Sequence, residues 1–215
     1  MHLISLNIGT PKTEHFHGSE VVTGLCKLPV QGQLLLTKTG FAGDGVHDKK
    51  HHGGEDKAVC AYSADYYPHW ETVLGEKLPP AAFGENLTVA GLSEKEIHLG
   101  DCFRLGTALL QVSQPRQPCK TLAARYGRND FVKLVVESGY TGFYFRVIAE
   151  GMAGQNDALE LVTPDPGNVS IAYANRIYHH DRKNREGIAR VLAVPALSAS
   201  WRKSFQELLE NLNPA

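Results

Sequence analysis

Along residues 1–167 the apolar positions fall in short runs of period two, the mark of half-buried strands. His2 to Ile8 alternates in this way, and Val21 to Leu28 and Leu34 to Thr39 are β-rich and end at glycine or proline. Ala58 to Tyr62, Asn86 to Val89 and His98 to Leu105 continue the series. Gly106-Thr107 then turns the chain into Ala108 to Val112, which predicts a hairpin. Gly142 to Ala149 and Ala158 to Val162 are the last strands expected. Helical spacing is confined to three short pieces of this region. Ser63 caps a helix running through Trp70 to Leu74, with Pro68 delaying or kinking its start. A second runs from about Pro118 to Tyr126 and stops at Gly127. In the third, Asn129 caps Asp130 to Glu137, with Phe131, Leu134 and Val135 on one face. Gly40 to Lys57 holds no period and is rich in glycine, so a long loop is expected there.

The texture changes after Thr163-Pro164-Asp165-Pro166-Gly167-Asn168, a run of helix and strand breakers. Ser170 to Tyr178 and Asn184 to Ala193 read as helices. Ser198 caps a third, in which Trp201, Phe205, Leu208, Leu209 and Leu212 form a stripe. That stripe is too apolar to face water and must pack on its neighbours, on the strands or on a second chain. The pattern therefore predicts a mainly β fold with some α: a barrel or sandwich with peripheral helices over 1–167 and a small three-helix bundle over 168–215.

Composition narrows the function classes. The 215 residues carry 22 Lys+Arg against 23 Asp+Glu, a formal net charge of -1, which argues against broad attraction to a nucleic-acid backbone. A local basic cluster, Arg182-Lys183-Asn184-Arg185, leaves the tail open as a partner module. No apolar run has membrane-spanning length and no secretion signal is read, so a cytoplasmic protein is expected. Cys26, Cys60 and Cys102 sit in alternating apolar segments and read as small, half-buried strand residues.

Cys119 stands apart. In Gln114-Pro115-Arg116-Gln117-Pro118-Cys119-Lys120 a strand ends, two prolines bend the chain, and Pro118 suits the first position of a helix. Cys119 would then lie in a first helical turn, flanked by Arg116 and Lys120, where a thiolate is favoured. Such a cysteine suits a nucleophile, a persulfide carrier or a soft-metal ligand. The glycine-rich segment around Asp44 also carries Lys49, Lys50, His51, His52 and Lys57, cations that could surround a phosphate-like anion. His47 and His51 have the spacing of a helical metal pair, but the nearby glycines argue against a helix and so against a three-histidine zinc site. An anion site is expected where this segment faces the Gln114–Cys119 bend. In Phe83-Gly84-Glu85-Asn86, Glu85 is a candidate acid or base and Asn86 a donor and acceptor. His179 and His180 are expected at the surface.

Taken in order, Gly43-Asp44, His52-Gly53-Gly54, Phe83-Gly84-Glu85-Asn86-Leu87-Thr88, Gly100-Asp101, Gln114-Pro115-Arg116-Gln117-Pro118-Cys119 and Gly142-Phe143-Tyr144-Phe145-Arg146-Val147 resemble the MOSC-domain proteins, and more closely their YiiM branch. MOSC domains are named after the C-terminal domain of molybdenum-cofactor sulfurase. The tail resembles the small three-helix domain of YiiM-like members. The resemblance implies a β-barrel with helices at its mouth. It implies that Cys119 ligates the metal of a molybdenum cofactor (molybdopterin) or carries sulfur, with Glu85 and Asn86 beside it. Arg116, Lys49, His52, Lys57 and Asp44 would then contact the cofactor. The activity implied is a detoxifying reduction of N-hydroxylated bases and hydroxylamines. Electrons would come from a separate reductase, since the chain shows no flavin or iron–sulfur motif. A homodimer is left open. The alternative is a non-redox carrier of sulfur, as a Cys119 persulfide, or of the cofactor itself.

Overall fold

A computed structural model describes residues 1–212, all but the side chain of Lys50. The end of the expected tail, 213–215, and the Lys50 side chain counted among the cations lie outside the described residues. The strands are β1 His2–Ile8, β2 Lys12–Phe16, β3 Ser19–Thr23, β4 Leu28–Pro29, β5 Gln33–Thr37, β6 Gly40–Phe41, β7 Val59–Ser63, β8 Leu87–Ala90, β9 Cys102–Leu105, β10 Ala108–Pro115, β11 Phe143–Ala149, β12 Gly151–Gly154 and β13 Leu159–Thr163. The helices are α1 Lys49–His52, α2 Tyr67–Leu74, α3 Lys120–Arg125, α4 Phe131–Ser138, α5 Ile171–His179, α6 Arg185–Leu192 and α7 Ala199–Asn211.

Eight strands form one sheet in the order β13-β9-β10-β11-β7-β8-β1-β4, in which only β7 and β8 run parallel. The expected barrel takes the form of a curled half-barrel with β13 and β4 at its edges. It curls far enough for the Met1 amino group to donate to the Leu159 carbonyl at 3.3 Å, which brings the start of β1 onto β13. The β12-β5-β6 sheet adds Leu36, Phe41 and Ala153 to the same core. A second core, Tyr62, Trp70, Phe83, Leu122, Phe131 and Val135, joins α2, α3 and α4 to β7.

Several elements differ from the sequence expectation. β2 and β3 form a separate two-stranded hairpin around His17 and Gly18, both at positive φ. Its strand Lys-Thr-Glu-His-Phe is mostly polar because the ribbon is exposed on most of both faces, so no alternation marks it. The Gly40–Lys57 loop contains β6, the one-turn helix α1 and a 3-10 turn at Glu55–Lys57. Asp48 forms α1's first cap by accepting from the His51 backbone at 3.1 Å, and Gly53 follows the turn. Pro118 precedes α3 by two residues instead of starting it, and Cys119 is the N-cap, in extended backbone, not a first-turn residue. At α4 the cap position falls to Asp130 instead of Asn129.

The three tail helices start where expected. Ser170, Asn184 and Ser198 each accept a hydrogen bond from the third residue of their helix, Tyr173, Gly187 and Trp201. Trp201, Phe205 and Leu208 are buried in one continuous cluster with strand residues such as Phe103, Leu110 and Val112. The apolar stripe is therefore covered within the chain. His179 is half-buried, not at the surface, and burial pulls its imidazole down to about 4. Among the described residues no helix is long and apolar enough to cross a membrane.

Candidate functional site

One cavity, of about 530 Å³, gathers most of the residues singled out by the sequence. β10 delivers its last residues and then the proline bend to this cavity. The Arg116 backbone donates to the Gly142 carbonyl at 3.0 Å, continuing the β10–β11 pairing one step beyond the strand. The side chain of Arg116 is only 4% exposed. Its Nη2 donates to the Phe83 carbonyl at 2.7 Å, whereas its Nη1 has no hydrogen-bond partner among the described residues. A buried cation with a spare donor lining a cavity is costly unless something anionic receives it.

Cys119 lines the same cavity, together with His52, Lys57, Asp44 and Asn86. Burial alone would raise its thiol. The hydrogen bond with His52, the Arg116 charge and the Leu122 N–H outweigh that and hold it at about 6. Cys119 is therefore a thiolate at neutral pH. Cys60, also in the cavity wall, is pushed by burial the other way, up to about 12. Its inertness contrasts with Cys119 although both face Arg116. Burial likewise raises the thiols of Cys26 and Cys102, and Cys26 falls between β3 and β4 instead of in a strand.

Asp44 is a brace. One carboxylate oxygen accepts from the Gly9 backbone at 2.9 Å and from the Lys27 ammonium, and the other accepts from Asn86 Nδ2 at 2.8 Å. Asn86 also donates to the Asn7 carbonyl at 3.2 Å and accepts from the Cys60 backbone at 3.0 Å. It thus ties β1, β7 and the Asp44 loop together beneath the cavity. Gly84 is needed for this wall: it has φ +78°, and a Cβ there would lie 2.3 Å from Leu25.

Four expected residues are not brought in. The Glu85 carboxylate is fully buried against Tyr67 Oη at 2.5 Å, Thr88 Oγ1 at 2.9 Å and the Phe83 backbone N–H at 2.9 Å. With those donors satisfied it supports the loop and does not line the cavity. Lys49 is exposed outside it, as is Lys120. His51 pairs with Asp48 at 2.7 Å instead of facing the cavity. Among the described residues no three His, Cys, Asp or Glu side chains are grouped to hold a metal ion by themselves. Lys27, Tyr144 and Thr121 line the cavity and were not read from the sequence, nor was the wall made by Val21 to Leu25. Lys27 is a lone lysine between Cys26 and Leu28, and nothing local distinguishes it from a surface cation. Tyr144 had a signal, its place in the Gly142–Val147 segment.

A curled half-barrel with a thiolate and a buried guanidinium at one cavity defines the class of protein, and comparison with known proteins gives the family. The chain matches the MOSC domain over residues 48–160 and the YiiM-like, 3-alpha helix domain over residues 169–212. It belongs to the MOSC family, in the YiiM-like branch. The uncharacterized protein YflK of Bacillus subtilis (strain 168) is 48% identical over 212 residues, covering 99% of this chain and 96% of that protein. Protein YiiM of Escherichia coli (strain K12) is 37% identical, covering 86% of this chain and 84% of its own length. A protein named "Reductase" from Gibberella moniliformis (strain M3125 / FGSC 7600) is 32% identical over 74% of this chain and 29% of that longer protein. The crystal structure of YiiM from Geobacillus stearothermophilus superposes with a TM-score of 0.83 at 40% identity, covering 97% of this chain and 98% of that one.

Proposed function

We propose that this chain is a molybdenum-cofactor-binding oxidoreductase that reduces N-hydroxylated compounds, hydroxylaminopurine-type bases and hydroxylamines among them. The observation that supports it most is the Cys119 thiolate sharing a cavity with the spare Nη1 donor of a buried Arg116. The residues present fit the cofactor. Cys119 would be the soft thiolate ligand to the metal, and Arg116, His52 and Lys57 would receive the pterin phosphate. When bound, the cofactor supplies a two-electron centre that can take up an oxygen atom.

The reaction consumes two electrons and two protons: R–NHOH becomes R–NH2 and water. The electrons would come from a separate protein. The chain's own part is to bind, orient and deliver protons. Burial lowers the Lys57 ammonium below the ordinary lysine range, so this cavity residue releases a proton more readily than a surface lysine. Asn86 and Asp44 hold the cavity wall in place through the contacts to β1 and Lys27. Phe83 and Val21 to Leu25 give it apolar lining suited to a flat base.

Protein made in cells that synthesise the cofactor should convert a hydroxylaminopurine to the aminopurine when given a reduced viologen dye. The expected Cys119→Ser loss is about 100-fold or more, above what outer residues of metal sites usually contribute. No turnover by protein of full molybdenum content would overturn the reading. The thiolate also suits a carrier, and that second reading would stand instead if Cys119 were isolated bearing a sulfane sulfur and no molybdenum.

A further inference from the structure

We propose that the first turn of α7 is a clamp that sets the site's segments in register, which makes Ser200 and Asp56 positioning residues. Three segments that contribute to the cavity converge on Ser113, one residue before Gln114. Its hydroxyl donates to the Asp56 carbonyl at 2.5 Å and lies 3.0 Å from the Tyr144 carbonyl. Asp56 immediately precedes Lys57, Tyr144 lines the cavity, and Ser113 leads through β10 to Arg116 and Cys119. The tail closes over this point from the other side. The Ser198 backbone donates to the Ser113 carbonyl at 3.0 Å. The Ala199 backbone donates to Asp56 Oδ2 at 3.0 Å, and the Ser200 hydroxyl donates to Gln114 Oε1 at 3.0 Å. Asp56 is held from the sheet as well, because Arg146 Nε and Nη2 both donate to its Oδ1, at 2.8 and 2.6 Å.

These contacts do more than bury the tail. The apolar stripe of α7 would be satisfied by packing alone. Instead, three consecutive residues at the start of the helix spend their polar groups on the 3-10 turn before Lys57 and on the end of β10. An N-terminal N–H of α7, which has no partner inside its own helix, finds one in Asp56. Without it the 3-10 turn keeps the sheet contacts through Arg146 and Ser113 but loses its tie to α7. The tail therefore fixes Lys57 relative to Arg116 without touching the cavity, and the proposal rests on the reading of that cavity as the functional site.

The test uses the full chain without cofactor or substrate and measures backbone hydrogen exchange at two amides. Lys57 N–H donates to Gly54 at 2.9 Å and Arg116 N–H donates to Gly142 at 3.0 Å, so both are protected in the folded protein. Ser200→Ala should speed exchange at both by about three- to tenfold, the effect of one lost hydrogen bond. Asp56→Asn, which leaves one carbonyl oxygen for three donors, should do so more strongly. Ser200→Thr, which keeps the hydroxyl, should restore wild-type rates. Leu209→Ala, further along α7 and packed on the core, should lower overall stability while leaving the ratio of these two rates to the global rate unchanged. The clamp is refuted if Ser200→Ala and Asp56→Asn exchange like the wild type, if Ser200→Thr fails to restore the rates, or if Leu209→Ala reproduces the effect. A failed reductase assay would leave this result standing, and a failed exchange result would leave the reductase reading standing.

Discussion

At the scale of single residues, the site depends on opposite treatment of similar side chains. Cys119 and Cys60 both line the cavity near Arg116, yet one is held at about 6 and the other at about 12. The difference comes from His52 and the start of α3, which only Cys119 meets. Alkylation by iodoacetamide should therefore modify Cys119 first, with a rate that rises through about pH 6 and levels off above it. His52→Gln and Arg116→Met should each move that midpoint upward. The same thiol has a signature in stability. Between about pH 6 and 9.0 the folded protein holds a thiolate while the unfolded chain still holds the proton. Raising pH across this window favours the folded state, so the cofactor-free wild type should gain stability over Cys119→Ser in urea titrations. A difference independent of pH would contradict the assignment. His179 works at the other end. Burial keeps it neutral down to about 4, whereas the unfolded imidazole takes its proton near 6.5. Acidification from 6.5 toward 4 should cost stability in the wild type, and His179→Gln should flatten that slope.

Legibility at this scale followed covalent neighbourhood. Cys119, Arg116 and Asn86 stood out because prolines or glycines beside them announce a bend. Glu85 stood in the same motif, but whether its carboxylate faces the cavity or Tyr67 depends on α2, which lies 18 residues earlier in sequence. Lys27 became visible only once Asp44, 17 residues away, was seen to neutralise it.

At the scale of elements, strands whose sequence alternates were readable and those without alternation were not. β1 matches the expected His2–Ile8 because alternation there reports a core face. β2 and β12 carry no such pattern, since they are set by a turn and by pairing to β5, and of the strand read as Val21 to Leu28 only Val21–Thr23 belongs to β3. α1 shows how one cap can outweigh composition: Asp48 is enough to wind a single turn between glycines. A glycine between elements also controls the site. Gly142 has φ +70°, its carbonyl receives the Arg116 N–H, and a Cβ would come within 2.5 Å of the Ala61 carbonyl. Gly142→Ala should destabilise the fold by at least about 1–2 kcal/mol. It should also loosen Arg116, seen as loss of protection at that amide in hydrogen exchange. An Ala variant of wild-type stability would show that the backbone adapts.

At the scale of the whole molecule, the boundary read near residue 167 separates textures of sequence but not cores. Val169, Ile171, Ile177, Val191 and Phe205 belong to the same apolar cluster as the half-barrel strands. Polar ties cross the boundary too, such as Asn175 Nδ2 to Thr141 Oγ1 at 2.9 Å. We predict one cooperative unfolding transition for the full chain, poor helicity for 168–215 alone, and aggregation of 1–167, whose uncovered face would be apolar. Circular dichroism of the two fragments and calorimetry of the whole would show it. Two separate transitions would contradict this. The breaker-rich linker marks a change of secondary structure, while burial is shared across it, as the expected packing of the apolar stripe requires.

The central claim is that Cys119 holds a molybdenum cofactor in this cavity. The most direct measurement is molybdenum and pterin content of wild-type and Cys119→Ser protein, both purified from cells that synthesise the cofactor. The account predicts close to one molybdenum and one pterin per wild-type chain, and molybdenum near background in a folded Cys119→Ser protein. Equal molybdenum in the two proteins, or none in the wild type under conditions that load other molybdenum enzymes, would contradict it.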